Sequence, residues 1–412
     1  MRLNLLEMNK DLHDREFWVA KEEEIKQGKT TDVYFTYTKD ILKAVSKNPR
    51  VVIEVFARKV EKNWGVVTGI YEAAKLLEGM NVNVKAMEEG EIFLTSDQSI
   101  YEPVMQIEAD YADISIYENP VLGFLCFSSG ISTKAARIRL AAGDKPIFSF
   151  GTRRSHPSLA PTIERAAYIA GFDNMSNSLA ASLMGIEPVG TMPHALMLCF
   201  GNIEDAWKAF DKFASSNVPR IALVDTFLDE KDESVTALKV FKGRLYGVRL
   251  DTAMGRRHDR NKIIREVRSE LDKGDGKDVK IFVSGGLDEN EISELRRVVD
   301  GFGVGTSVSS ARSVDFSFKI VEVIEDGKGI PRAKKDDIAG RKYVYRNEQK
   351  FQDVVTLSKD RVPEGFKPLL TDLMVNGKIV GGFKSVNEIR ASAVEKIRRI
   401  AETKTKPSLQ WI

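Results

Sequence analysis

The chain has 412 residues, 42% of them hydrophobic and 30% charged, with a formal net charge of +2. That length exceeds one ordinary domain, and the composition suits a globular protein with a sizeable core. Charge this near balance argues against bulk nucleic-acid binding, no apolar run reaches membrane-span length, and residues 1–18 are too charged for a signal peptide.

In the N-terminal part, residues 33–38 (VYFTYT) and 51–56 (VVIEVF) are strand-like, ILKAVSK and GIYEAAKLLEG are helical, and 80–96 reads as strands around a Glu-Gly turn. This predicts an α+β domain over residues 1–115. The GKT at Gly28–Thr30 is no Walker A motif, because Glu23 stands where its first glycine belongs. From about residue 145 strands and helices alternate. A strand at 146–151 precedes a helix over 158–171 ending at Gly171, and a short segment at 174–178 precedes the helical turn SLAASLMG. GTMPHALMLCFG (190–201) and the amphipathic NIEDAWKAFDKFAS come next. Strand 220–227 leads to a helix through Val235–Phe241, and strand 245–251 to the helix DRNKIIREVRSELDKG. Apolar strands alternating with helices indicate a parallel sheet covered on both faces. The expected fold is α/β, an incomplete TIM-like barrel over residues 116–320. The Lys- and Arg-rich tail, 321–412, with short strands at KYVYR and FQDVVTL, is expected to return and complete the N-terminal α+β domain.

Two glycine-rich turns close the alternating series. VKIFVSGGLDE (279–289) breaks at Ser284, Gly285 and Gly286. VVDGFGVGTSV (298–308) runs through Gly301, Gly303 and Gly305 into Thr306 and Ser307. Between them Ile292, Leu295, Val298 and Val299 recur at helical spacing. In a barrel of βα units the last two loops commonly cradle phosphate, with backbone N–H groups and a helix N-terminus facing the anion. Glycines that merely tighten short loops are the alternative for either turn alone. Upstream, Phe150 ends a strand and Arg153, Arg154 and His156 follow, a paired guanidinium grip for an anion or else a surface ion pair. His194 interrupts an apolar stretch three residues after Thr191. Locally it is a core histidine with one hydrogen bond or an imidazole aimed into a site. Asp225 and Asp251 end two strands, where a carboxylate can hold ribose hydroxyls, stabilise positive charge or cap the next helix. No clustered-ligand spacing argues for a tightly bound metal. The two cysteines, Cys126 and Cys199, lie in apolar runs and read as core residues of a reducing compartment, which points to the cytoplasm.

Taken in order, FGTRRSHP, GTMPHALML, VDTF, VRLDT, SGGLDE and FGVGT, with TTDVYF at 30–35 and ENPVLGFL at 118–125, resemble nicotinate phosphoribosyltransferases of the compact archaeal type. The resemblance implies that nicotinate and phosphoribosyl pyrophosphate give nicotinate mononucleotide and pyrophosphate, in NAD salvage. It implies ATP as co-substrate through a phosphorylated histidine at His194, which settles the local alternatives for that residue. It implies Mg²⁺ carried on the pyrophosphate and a homodimer or higher oligomer whose sites use both protomers. Tyr34 and Phe150 match aromatic groups flanking the nicotinate ring, and Thr191 and Arg249 its polar contacts, with Arg249 on the carboxylate. Asp251 to Met254, Ser284–Gly286 and Gly303–Thr306 match ribose and phosphate contacts. The usual RLDSG-like turn reads RLDTAMG here, so contacts at 252 and 254 are expected from backbone. The tail lacks the cysteines of a zinc knuckle that some relatives carry, so no zinc is expected. The rival readings are a phosphoribosyltransferase for quinolinate or nicotinamide, and a non-catalytic sugar-phosphate sensor.

Overall fold

The computed structural model describes residues 15–96, 100–403 and 407–412; His13 and the rest of the leading segment fall outside the described residues. Residues 33–38, expected as a strand, instead open helix α1 (Val33–Ala44). Val, Tyr and Thr favour strands locally. Yet Phe35 is the buried side chain of the helix, while Val33, Tyr37 and Ile41, four residues apart, form an exposed stripe along it, so tertiary packing overrides the local strand preference.

The chain continues through β1 (Arg50–Ala57), α2 (Ile70–Leu77), β2 (Val82–Ala86) and β3 (Pro103–Asp110). Helix α3 (Glu118–Ala142) then crosses to the second half of the molecule. It is buried on several sides, which explains its weak amphipathic pattern, and its small residues permit close packing. Ser129 and Ser132 donate to the backbone carbonyls of Thr68 and Val66, fastening α3 to the first half.

The alternating region comprises β4 (Ile147–Ser149), α4 (Ala160–Ile169), β5 (Asn174–Met175), α5 (Ser178–Met184), α6 (His194–Phe200), α7 (Ile203–Phe213) and β6 (Arg220–Leu223). It continues with α8 (Glu230–Phe241), β7 (Leu245–Leu250), α9 (Arg260–Lys273), β8 (Lys280–Ser284), α10 (Glu289–Leu295), β9 (Gly301–Val304) and α11 (Thr306–Ser309). The six strands form one parallel sheet in the order β5-β4-β9-β8-β7-β6. First and last strands of the series, β4 and β9, are therefore neighbours. The sheet curls as an incomplete barrel, with β5 and β6 as its unpaired edges among the described residues. All six strand C-termini face the same end, where βα-loops build sites.

The tail adds β10 (Phe316–Glu325), β11 (Tyr343–Asn347), β12 (Gln352–Thr356), β13 (Thr371–Val375), α12 (Val386–Glu402) and β14 (Ser408–Trp411). A seven-stranded antiparallel sheet runs Lys328–Pro331, β10, β1, β3, β2, β13, Lys378–Ile379, so strands from both ends of the chain interleave. A four-stranded sheet carries β11, β12 and β14. Two buried ionic clusters join tail to first half. Lys342 Nζ meets Glu54 Oε2 at 2.7 Å with both side chains fully enclosed. Arg346 bonds Asp353 through Nε at 2.6 Å and Glu91 through Nη1 at 2.8 Å, and Lys396 of α12 closes on Glu91. Such pairs add little net stability but leave an uncompensated charge if one partner goes.

Among the described residues no helix is long and apolar enough to cross a membrane. Both cysteines are free thiols. Cys126 is half-buried, but Cys199 is exposed, contrary to the core position expected for it, because α6 turns it outward while Met197 faces the core.

Candidate active site

A cavity of about 880 Å³ opens at the C-terminal end of the parallel sheet. Most of its walls are loops that follow a strand. From the β4 loop come Phe150, Arg153 and Arg154; from the segment before α6, Thr191 and His194; from β7 and its loop, Arg249, Asp251 and Met254. The glycine turns after β8 and β9 supply Ser284, Gly285, Gly286, Gly303, Gly305 and Thr306. Asp225, at the end of β6, stands behind His194 rather than on the cavity wall.

His194 is the first residue of α6, held by Pro193 in extended geometry. Its Nε2 lies 2.8 Å from Asp225 Oδ1, with the His side chain 38% exposed and that of Asp225 8%. The other oxygen, Asp225 Oδ2, accepts the Asp251 backbone N–H at 2.7 Å, and Asp251 Oδ1 accepts from Ser284 Oγ at 3.0 Å. A chain of hydrogen bonds thus links imidazole, two carboxylates and the β8 turn. The hydrogen bond to Asp225 raises the His194 pKa above its ordinary value, against the smaller opposing effect of burial. The matching tautomer carries its proton on Nε2 and leaves Nδ1 with a free lone pair, an assignment made from the bonding network.

Arg249 projects from β7 across the ring of Phe150, its guanidinium carbon 5.6 Å from the ring centre. Nη2 donates to the Met192 carbonyl at 3.1 Å, while Nε is buried without a partner among the described residues. Burial lowers its pKa, and Asp251 and Asp225 pull the other way. The buried Thr191 Oγ1 likewise has no partner among the described residues. Buried donors left open beside an aromatic face call for a ligand acceptor.

The glycines have steric reasons. A Cβ on Gly303 would overlap the Phe150 ring, and one on Gly285 would overlap Asp251 Oδ1; Gly285 and Gly286 also have positive φ, 83° and 69°. Gly305 differs: a Cβ there meets nothing closer than 3.6 Å, so its lack of a side chain keeps the space above it open. Thr252 is buried with φ 22° and a hydroxyl unpartnered among the described residues, and Met254 is 80% exposed at the rim. Arg153 and Arg154 are exposed on a short 3-10 turn at the mouth.

Tyr34 is not brought to the cavity of its own chain. It is exposed on α1, where its hydroxyl donates to Asp32 at 2.9 Å. Conversely, Arg257 was not anticipated. It lies on the 3-10 turn Met254–Asp259, donates through Nε to the Thr252 carbonyl at 3.2 Å, and packs its guanidinium against Gly286 inside the cavity. The signal was present as the basic pair Arg256–Arg257 after the altered turn, but it resembles any solvated basic patch.

Family models for the N-terminal and C-terminal domains of quinolinate phosphoribosyl transferase match residues 32–129 and 131–319. The crystal structure of nicotinate-nucleotide pyrophosphorylase from Pyrococcus furiosus is 48% identical, covering 94% of this chain and 99% of that one, with a TM-score of 0.89. A nicotinate phosphoribosyltransferase of Mycobacterium tuberculosis is 33% identical over 291 residues, 67% of this chain and 61% of its own length. A second from that organism is 29% identical over 385 residues, 84% and 83%. The chain therefore spans about three fifths of the first mycobacterial relative it matches.

Proposed function

Because the chain belongs to the nicotinate phosphoribosyltransferase family, built on the two quinolinate phosphoribosyl transferase domains, we propose that it forms nicotinate mononucleotide and pyrophosphate from nicotinate and phosphoribosyl pyrophosphate. The observation that carries this reading is the buried guanidinium of Arg249, with Nε open, beside the Thr191 hydroxyl and the Phe150 ring. Those groups suit a planar ring bearing one carboxylate. Arg249 takes the carboxylate by a charge-assisted hydrogen bond, and Phe150 stacks on the ring. Tyr34 covers the opposite ring face from a second copy of the chain, since it is remote from its own cavity. The Gly303–Thr306 turn and the start of α11 take the 5-phosphate, and Asp251 takes the ribose hydroxyls. Arg153, Arg154 and Arg257 face the pyrophosphate, which arrives with its Mg²⁺. As the C1–O bond lengthens, the ribose becomes cationic, and Asp251 stabilises it from the β7 end, with the charge of Asp225 behind it.

His194 serves a separate step. Attack of its free Nδ1 on the γ-phosphorus of ATP forms an N–P bond and releases ADP, while Asp225 holds the Nε2 proton. The added negative charge at the cavity mouth orders the arginines around phosphoribosyl pyrophosphate before hydrolysis returns the free imidazole and phosphate. The segments 1–115, 116–320 and 321–412 divide the work between a covering α+β body and the incomplete barrel that holds the chemistry. A cytoplasmic setting accords with this metabolism.

Pyrophosphate release with nicotinate, nicotinamide and quinolinate, each with and without ATP, tests the reading. Nicotinate should be preferred and stimulated by ATP. Labelling from γ-labelled ATP should be acid-labile and lost in His194→Asn, which keeps slow ATP-independent turnover. Preference for quinolinate with release of CO₂ would transfer the chain to that rival activity.

A further inference from the structure

The curled sheet is hollow behind the active site. A second chamber of about 710 Å³ lies toward the strand N-termini and reaches the unpaired edges, β5 and β6. Barrels of this type normally fill that space with side chains. Here β5 has only two residues, so the sheet stays open there, and Gly247 and Gly301 let the Phe282 ring lie close against their strands. The two cavities share Phe150, Gly190, Thr191, Arg249 and Gly303, the place assigned above to nicotinate. The base subsite thus borders both cavities.

The two approaches differ in chemistry. The front is lined by arginines, His194 and the phosphate turns. The rear is lined by Phe148, Tyr246, Phe282, Val189 and Val218, with Glu187 exposed at its mouth. Arg249, at the inner end, is its sole Lys or Arg among the described residues. A triphosphorylated sugar finds no counter-charge there, whereas a flat aromatic ring with one carboxylate finds aromatic faces and a single guanidinium at the end. Phosphoribosyl pyrophosphate bound in front would cover the base subsite from that side.

We propose that nicotinate enters and leaves through this rear chamber, so that the base exchanges while phosphoribosyl pyrophosphate occupies the front. The proposal rests on the nicotinate reading of the preceding section. Val189→Trp and Val218→Trp narrow the chamber and Tyr246→Ala widens it; none of the three lines the front cavity. With pyrophosphate release as readout, both Trp variants should lose about tenfold or more in kcat/KM for nicotinate, with less than about a twofold change in KM for phosphoribosyl pyrophosphate. Tyr246→Ala should retain or raise the nicotinate value. Folded Trp variants with wild-type nicotinate kinetics would overturn the proposal. Should those variants fail to fold, the unaltered enzyme decides. Its rate should hold a plateau as phosphoribosyl pyrophosphate rises far above KM, and inhibition relieved by excess nicotinate would mean that the base is shut out behind it. An unaltered enzyme that releases no pyrophosphate with nicotinate would instead defeat the substrate reading.

Discussion

Replacing Arg249 by Met keeps much of the volume beside Phe150 and removes the charge. In the free protein the guanidinium already has one hydrogen bond, to the Met192 carbonyl, and an enclosed Nε without a partner among the described residues. The gain from a nicotinate carboxylate is therefore an added charge-assisted interaction in a partly desolvated place. A hydrogen bond to a charged group contributes about 1.5–3 kcal/mol, and stranding its buried partner raises the loss to about 2–4 kcal/mol. At about 1.4 kcal/mol per factor of ten, that is a loss of roughly 30- to 1,000-fold in kcat/KM for nicotinate. Nicotinamide, whose neutral amide gains less from the cation, should lose about tenfold or less, so the preference between the two bases narrows. Steady-state pyrophosphate release with both bases measures this. Equal losses for nicotinate and nicotinamide, or unchanged nicotinate kinetics, would refute the assignment of Arg249 to the carboxylate.

Gly305→Val should raise KM for phosphoribosyl pyrophosphate about tenfold or more while moving that for nicotinate little, because a Cβ there comes no closer than 3.6 Å to the protein and the added bulk enters the phosphate space; equal effects on both substrates in initial-rate kinetics would speak against it. Asp225→Asn removes the group that raises the His194 pKa. The imidazole is then neutral to lower pH, so the acid limb of the ATP-stimulated rate should move to lower pH. A limb that stays in place in the pH–rate profile would detach His194 from that limb. Arg257→Ala should weaken phosphoribosyl pyrophosphate by about 1.5–3 kcal/mol, read as KM, and leave the thermal midpoint nearly unchanged, since its one side-chain hydrogen bond among the described residues is to the Thr252 carbonyl.

The alternating half was legible because buried parallel strands are written as apolar runs with glycine turns between them, as at 280–284 and 301–304. Residues 33–38 misled because their strand-forming content is local, whereas the packing around Phe35 that overrides it is tertiary. The link from His194 to Asp225 spans 31 positions and two elements, so neither local segment announces it; only the family resemblance raised His194 above a core residue. Arg257 depends on how the altered turn after Asp251 folds, and the hollow of the curled sheet depends on which strands fail to pair. Both are properties of tertiary arrangement rather than of any window of sequence.

The bond between Glu54 and Lys342 also has a meaning in time. The two residues are 288 positions apart, and the same enclosed carboxylate receives the Gln106 amide and the Lys342 backbone N–H. At typical synthesis rates of about 5–20 residues per second, Glu54 leaves the ribosome roughly 15–60 s before its cation does. During that interval β1 can pair with β3, but the sheet lacks β10 and β13, and the carboxylate at its centre has no counter-charge. The parallel sheet, whose strands all come from residues 147–304, can form in the meantime. The order of maturation is thereby reversed relative to the order of synthesis: the first body to emerge is the last to be finished.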